Sequence, residues 1–231
     1  MRLYLIPTPI SDNREMCTIS YNIEIVRGLD FFIVENLRTA RRFIAGLKIE
    51  KVIDDIHFEE LSEQTTQEMV EDIIKVIIAR GSDCGLLSEA GLPCVADPGG
   101  ALVRAAHRHG IEVVPLVGAS SLMLALMASG ANGQKFAFNG YLPIKQPARD
   151  KAIANFQKRL ATEGQTQIFI ETPYRNDALL RDFVRILPNE TFMTVAVGLN
   201  STEQKVLSRP ISQWKRELPT IGKTPAIFIL G

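Results

Sequence analysis

The residue types best suited to chemistry are most concentrated in Cys84-Gly-Leu-Leu-Ser-Glu-Ala-Gly-Leu-Pro-Cys-Val-Ala-Asp-Pro-Gly-Gly100. An apolar stretch with strand character, Cys84 to Leu87, breaks into a loop carrying the carboxylates of Glu89 and Asp97, and an apolar periodic helix begins near Ala101. In an open α/β sheet, the loop leaving the carboxyl end of a strand is where ligands bind, because backbone groups and helix amino termini converge there. Gly91, Gly99 and Gly100 let the backbone turn sharply and approach a ligand, while Pro93 and Pro98 stiffen it. Gly and Pro also build ordinary rigid turns, so composition alone leaves a connector open as well.

Four other stretches have the same character. Pro7-Thr-Pro-Ile-Ser-Asp-Asn13 follows the first strand, and Glu35-Asn36 closes the second ahead of Arg38, Arg41 and Arg42. Acids are preferred at a helix start, so three cations there suggest an anionic partner, with a solvated face as the plainer explanation. Pro115-Leu-Val-Gly-Ala-Ser-Ser121 leads into an uncharged helix, where Ser120 suits a cap and the nearby N–H groups suit a carboxylate or phosphate. Glu171-Thr-Pro-Tyr-Arg175 is the last. Residues 7 to 13, 35 to 42, 88 to 100, 117 to 121 and 171 to 175 are expected to converge on one cleft between domains.

No phosphate-cradling GxxxxGK, dinucleotide GxGxxG or nucleophile-elbow GxSxG is present, which weakens hydride transfer and triad hydrolysis. Cys17, Cys84 and Cys94 form no CxxC pair and have no histidines at ligand spacing, so neither a disulfide framework nor a metal site is expected. His57, His107 and His109 are read as surface or structural residues. The residues alone describe an α/β protein that binds a small polar ligand, most simply an enzyme.

The elements that must position these loops alternate. Strands are expected at Arg2 to Ile6, Phe31 to Val34, Lys51 to Ile56, Cys84 to Leu87 and Ile111 to Val114, separated by helices, which implies a parallel sheet covered on both faces. Thr65-Thr66-Gln67-Glu68 resembles a capping box opening a helix whose core positions are Met69, Ile73, Ile74 and Ile77, stopped by Gly81. Beyond residue 117 strands come closer together, as in a mixed sheet. The domains are therefore expected at 1–116 and 117–231.

Composition narrows the rest. The 231 residues are 46% hydrophobic and 23% charged with no formal net charge, so a nucleic acid would have to be met by a local patch. No export signal is visible, and the uncharged run Val113 to Gln134 is broken by Pro115, Gly118, Gly130 and Gly133, so it is read as buried and not spanning a membrane. A reducing cytoplasm is expected.

Taken together, Tyr4-Leu-Ile-Pro-Thr-Pro-Ile10, Ser88 to Gly99, Val113 to Ser121, Phe136-Ala-Phe-Asn-Gly-Tyr-Leu-Pro143 and Glu171 to Arg175 resemble the tetrapyrrole methylase family of S-adenosylmethionine-dependent methyltransferases. Within it they are similar to the branch that methylates a ribose 2′-hydroxyl of small-subunit ribosomal RNA, in order and spacing along nearly the whole chain. The resemblance implies two α/β domains, S-adenosylmethionine in the cleft between them, and a homodimer. It places Pro7, Pro9, Ser88, Glu89, Ala90, Gly91, Ala96, Asp97, Gly118, Ala119, Ser120 and Ser121 on the cofactor side. A hydroxyl acceptor must lose its proton, and Glu35, Glu89 and Glu171 are the candidate bases, with Arg38, Arg42 and Arg175 on the substrate side.

Departures from that branch fall mainly on the substrate side. Its E-D-T-R is Glu35-Asn36-Leu37-Arg38 here, its P-G-P-S is Val117-Gly118-Ala119-Ser120, and the histidine of E-S-P-H-R is Tyr174. Ribosomal RNA, a tetrapyrrole or other small-molecule acceptor, and a non-catalytic cofactor-binding regulator are therefore all carried forward.

Overall fold

Strands that are unbroken apolar runs need cover on both faces, and the first part of the chain supplies it. The computed structural model describes residues 1–13 and 17–231, which divide into two compact units, Met1–Ser120 and Ser121–Gly231. In the first, β1 (Arg2–Ile6), β2 (Phe31–Val34), β3 (His57–Glu60), β4 (Cys84–Leu87) and β5 (Glu112–Pro115) form an all-parallel sheet in the order β3-β2-β4-β1-β5. α1 (Ser20–Gly28) and α2 (Leu37–Gly46) join β1 to β2 and β2 to β3, while α3 (Gln67–Arg80) and α4 (Gly100–Arg108) serve the other half of the sheet.

The two-residue period of a strand sorts its side chains between two cores. Leu3, Phe31, Ile33 and Leu86 pack with Ile73, Ile74 and Ile77 of α3 and with Leu102 and Ala106 of α4. Tyr4, Ile6, Phe32 and Leu87 pack with Val26 of α1 and with Ala40 and Ile44 of α2. The strand order dictates this division. The chain leaves β1 in one direction along the sheet and β4 in the other, so right-handed crossovers put the two helix pairs on opposite faces. β1 and β4, neighbours at the centre, thus form a switch point at their carboxyl ends.

Three expectations are corrected. Lys51 to Ile56 contains a short 3-10 helix, Ile53–Asp55, and the third strand lies further on at His57–Glu60. That strand pairs only with β2, so as a half-exposed edge it tolerates polar residues that an apolar pattern passes over. Met69 is 49% exposed and Val70 is buried in its place, because 70, 73, 74 and 77 make the i, i+3, i+4, i+7 stripe. The capping box is half made. Thr66 is the cap, accepting from Met69 N at 3.3 Å, and Thr65 Oγ1 instead accepts from Ser62 N at 2.8 Å, so Glu68 falls one residue short of the reciprocal position.

The second unit holds β6 (Phe136–Tyr141), β7 (Thr166–Ile170), β8 (Phe192–Val197), β9 (Lys205–Pro210) and β10 (Ala226–Leu230) in a mixed sheet, β6-β7-β10-β8-β9, with only β6 and β7 parallel. α5 (Ser121–Ser129) packs on β8, β9 and β10. The main core lies among the sheet, α6 (Ala148–Glu163), α7 (Asn176–Ile186) and α8 (Ile211–Arg216). Phe183 sits between Phe169 and Phe228 at centroid distances of 5.6 and 5.8 Å. Trp214 is fully buried, with its indole N–H 3.0 Å from the Met193 carbonyl. Among the described residues no helix is long and apolar enough to cross a membrane.

Gly85 lies within β4, where a Cβ would come 2.6 Å from Ile6 Cδ1 and 2.9 Å from Phe32 Cδ1. Gly85→Val is expected to lower stability by about 1–3 kcal/mol through overpacking, read as a lower urea midpoint. An unchanged midpoint would show that this face of the sheet is loosely packed.

Candidate functional site

The loops that leave β1 and β4 are joined backbone to backbone. Thr8 N donates to the Gly91 carbonyl at 3.0 Å and Gly91 N donates to the Thr8 carbonyl at 3.1 Å, an antiparallel bridge beyond the ends of two parallel strands. Side chains reinforce it. Ser88 Oγ donates to the Gly91 carbonyl at 2.6 Å, and the buried Thr8 hydroxyl lies 3.1 Å from both the carbonyl and the hydroxyl of Ser88. Gly91 has φ +83°, a conformation that favours glycine.

The loop after β5 closes on the same place. A Cβ at Gly118 would fall 2.2 and 2.4 Å from Pro7 Cβ and Cγ, so the Gly118 backbone lies directly against the proline ring. The Ala119 carbonyl is 3.5 Å from where a Gly91 Cβ would stand, which brings the third loop against the second. Asn22, buried in α1, donates to the Val117 carbonyl at 2.9 Å and fixes the loop from below.

The remainder of the long loop is conformationally strained. Cys94 and Ala96 have φ of +66° and +62°, and Gly99 has φ +126° with its Cβ position 2.8 Å from Cys94 Sγ and Leu86 Cδ2. Its turn carries Asp97 half-buried, and Asp97 Oδ2 has no hydrogen-bond partner among the described residues. Burial first, then the charges of Glu35 and Glu89, push the Asp97 carboxyl up to about 6. Burial, then Glu89 and Glu63, raise Glu35 as well. Glu89 is exposed and accepts from Thr39 Oγ1 at 2.5 Å. Such carboxylates suit hydroxyl or ammonium donors on a ligand. Among the described residues no cluster of His, Cys, Asp and Glu is placed to hold a metal ion.

A cavity of about 310 Å³ opens between the loops after β1 and β4 and the start of α2, lined by Thr8, Pro9, Ser11, Arg42, Ser88 and Glu89 among others. Pro7, Pro9, Ser88, Glu89, Ala90, Gly91, Gly118 and Ala119 therefore share one region of the first unit. Ser120 ends that unit and Ser121 begins α5 in the second. The predicted arginines separate. Arg42 lines the cavity, whereas Arg38 faces a more open hollow of about 530 Å³ with Asn36, Leu37, Arg41 and Glu60, and Arg41 is ion-paired to Asp54.

Glu171 and Arg175 belong to the second unit. The Glu171 side chain is 0% exposed, and its Oε1 accepts from Thr172 N at 2.6 Å and from Arg175 Nε and NH2 at 2.9 and 2.5 Å. Through Oε1 this carboxylate shapes its own turn and holds Arg175, while its Oε2 has no hydrogen-bond partner among the described residues; Glu35 and Glu89 lie at the open end of the first sheet.

Thr8 and Thr39 escaped sequence reasoning. In Pro7-Thr8-Pro9 only Thr8 has a backbone N–H, so any backbone donor needed there must be Thr8, and that was the available signal. Thr39 carried none, since its bond to Glu89 spans fifty residues and depends on β2 and β4 being neighbours.

The model of the tetrapyrrole (corrin/porphyrin) methylases matches residues 2–214. The chain belongs to that family. Its similar proteins include the ribosomal RNA small subunit methyltransferase I of Haemophilus influenzae, 30% identical over 231 residues that cover 99% of this chain and 77% of that protein. The protein of the same name from Vibrio cholerae is 30% identical over 212 residues, 91% of this chain and 69% of its own. That from Xylella fastidiosa is 33% identical over 205 residues, 89% and 71% of the two chains. As a tetrapyrrole methylase with these relatives, the chain is a methyltransferase, and its α/β architecture with one parallel and one mixed sheet agrees with that fold.

In this methylase Asp97 binds its proton more tightly folded than unfolded, since its carboxyl moves from 3.8 to about 6. The stability that protonation supplies is fully present below about pH 4 and is lost as pH rises through about 6. Asp97→Asn, neutral throughout, should exceed the parent in stability by about 1 kcal/mol above that range, after discounting for solvent screening, with the difference vanishing at low pH. Urea unfolding at both ends of the range measures it, and a parent more stable than the variant at high pH would show the carboxylate to be well partnered.

Proposed function

We propose that this chain transfers a methyl group from S-adenosylmethionine to a ribose 2′-hydroxyl of small-subunit ribosomal RNA, acting in the cytoplasm as a homodimer. The observation that carries the donor site is the joining of three loops at the sheet end, by the Thr8–Gly91 bridge and the contact of Gly118 with Pro7, beside a cavity of about 310 Å³ that the first two loops form with α2. The acceptor is argued from the relatives, which bear a ribosomal RNA methyltransferase name and align over most of this chain.

The residues present fit such a donor. Asp97 offers a carboxylate oxygen without a partner among the described residues, suited to a ribose hydroxyl or an amino group, and Glu89 lines the cavity nearby. Backbone N–H groups at Ser120 and Ser121 suit a carboxylate. When bound, S-adenosylmethionine supplies a methyl that an oxygen nucleophile takes in line, the C–O bond forming as the C–S bond breaks and the neutral thioether leaves. The protein's part is to hold donor and acceptor aligned and to exclude water, which rigid loops do well. Glu35 or Glu89 takes the acceptor proton, and the raised affinity of Glu35 for a proton suits that role. Arg38, Arg42 and Arg175 meet phosphates.

α5 supports the homodimer. It carries no charge, yet Met127 is 79% exposed, an arrangement suited to cover by a second copy. The family's own description favours a second acceptor class, a tetrapyrrole whose carboxylates the same arginines would meet. A cofactor-binding regulator without catalysis is the third.

Calorimetry with S-adenosylmethionine, followed by transfer of a tritiated methyl to ribosomal RNA from a strain lacking this chain, separates the three. Binding with label on a small-subunit ribose is expected. Binding without transfer to any acceptor leaves the regulator, and no binding removes the proposal. Gly118→Ala, whose new methyl must push the loop off Pro7, should weaken binding of the donor at least about ten-fold, because a displaced loop loses its preorganised contacts. Undiminished affinity would place the donor elsewhere.

A further inference from the structure

The carboxyl end of β7 carries a group of side chains that the donor site does not use. Tyr174, in the 3-10 turn Pro173–Arg175, is 80% exposed, and Lys223 Nζ lies over one face of its ring, 5.1 Å from the centroid. Both halves of this pair are held by polar anchors. On one side Glu171 fixes the turn through Thr172 N and the Arg175 guanidinium. On the other, Asp177 accepts from Ile221 N at 2.7 Å and from Gly222 N at 3.3 Å, while the fully buried Asn176 donates to the Thr224 carbonyl at 2.8 Å. Lys223 is thus tied on both flanks.

Two anchored loops that present an aromatic ring to water, with an ammonium group over one face and the other face left to a ligand, are suited to one kind of partner. The face of a tyrosine ring stacks on an unpaired base, and the base must be unpaired because a duplex base is already stacked on both sides. The neighbouring cation then meets the phosphate. A small planar acceptor would be held in a hollow that covers most of its surface, whereas a ring this open suits a polymer gripped elsewhere along its length.

We propose that Tyr174 is a stacking platform for an unpaired base of the RNA substrate, with Lys223 holding the adjoining phosphate. This rests on the RNA acceptor proposed above. Its test is fluorescence anisotropy of the full chain with a labelled single-stranded oligoribonucleotide about twelve nucleotides long, and with its blunt duplex. Tyr174→Ala should weaken single-strand binding about ten-fold, Tyr174→Phe should bind as the parent does, and duplex binding should be indifferent to both. Lys223→Ala should weaken binding and flatten its salt dependence by about 0.7 in the slope of log K on log salt.

Parent binding that Tyr174→Ala leaves unchanged, equal losses for Ala and Phe, or an equal loss on the duplex would each overturn the stacking role while leaving the RNA acceptor standing. A parent that binds S-adenosylmethionine but no RNA would overturn both. Since Tyr174 is exposed, its substitution does not threaten the fold, and the donor affinity of each variant confirms that directly.

Discussion

The pair of hydrogen bonds between Thr8 and Gly91 is the constraint from which the rest of the first unit's site follows. Parallel neighbours such as β1 and β4 deliver their chain ends side by side but leave the following loops free to diverge. Tying one loop to the other with two backbone bonds, and burying the Thr8 and Ser88 hydroxyls against them, turns adjacent strand ends into a wall of fixed shape. Gly118 then packs against the Pro7 ring at a distance that only a residue without a Cβ permits. Proline stiffness and glycine closeness act here as one device.

The same wall explains the electrostatics. Because the loop after β4 is held against the sheet end, Asp97 is carried out of water towards Glu35 and Glu89, and the carboxyls of Asp97 and Glu35 have a raised affinity for protons. Strain at Cys94 and Ala96 has the same origin, since a loop pinned at Gly91 and again at the opening of α4 has few ways to fill the space between. Function and local cost meet in these residues.

Much of this was legible in the sequence for stated reasons. Apolar runs at Arg2 to Ile6, Phe31 to Val34 and Cys84 to Leu87 marked central strands because both faces of such strands are buried. The edge strand His57–Glu60 was not legible, since its half-exposed residues do not repeat an apolar pattern. Pro7, Ser88, Gly91 and Gly118 were legible as loop residues, and the structure adds what joins them. The bond from Thr39 to Glu89 and the different hollows that Arg38 and Arg42 face are tertiary facts that no local spacing encodes, whereas the ion pair of Glu171 with Arg175 is an i,i+4 contact that the spacing allowed.

Amide hydrogen exchange at Thr8 and Gly91, followed with and without S-adenosylmethionine, tests the central claim most directly. If these loops are locked together and the lock forms the donor site, both amides exchange slowly in the free protein, and adding the donor slows them further. Rapid exchange at both positions, or protection that the donor does not change, would contradict it.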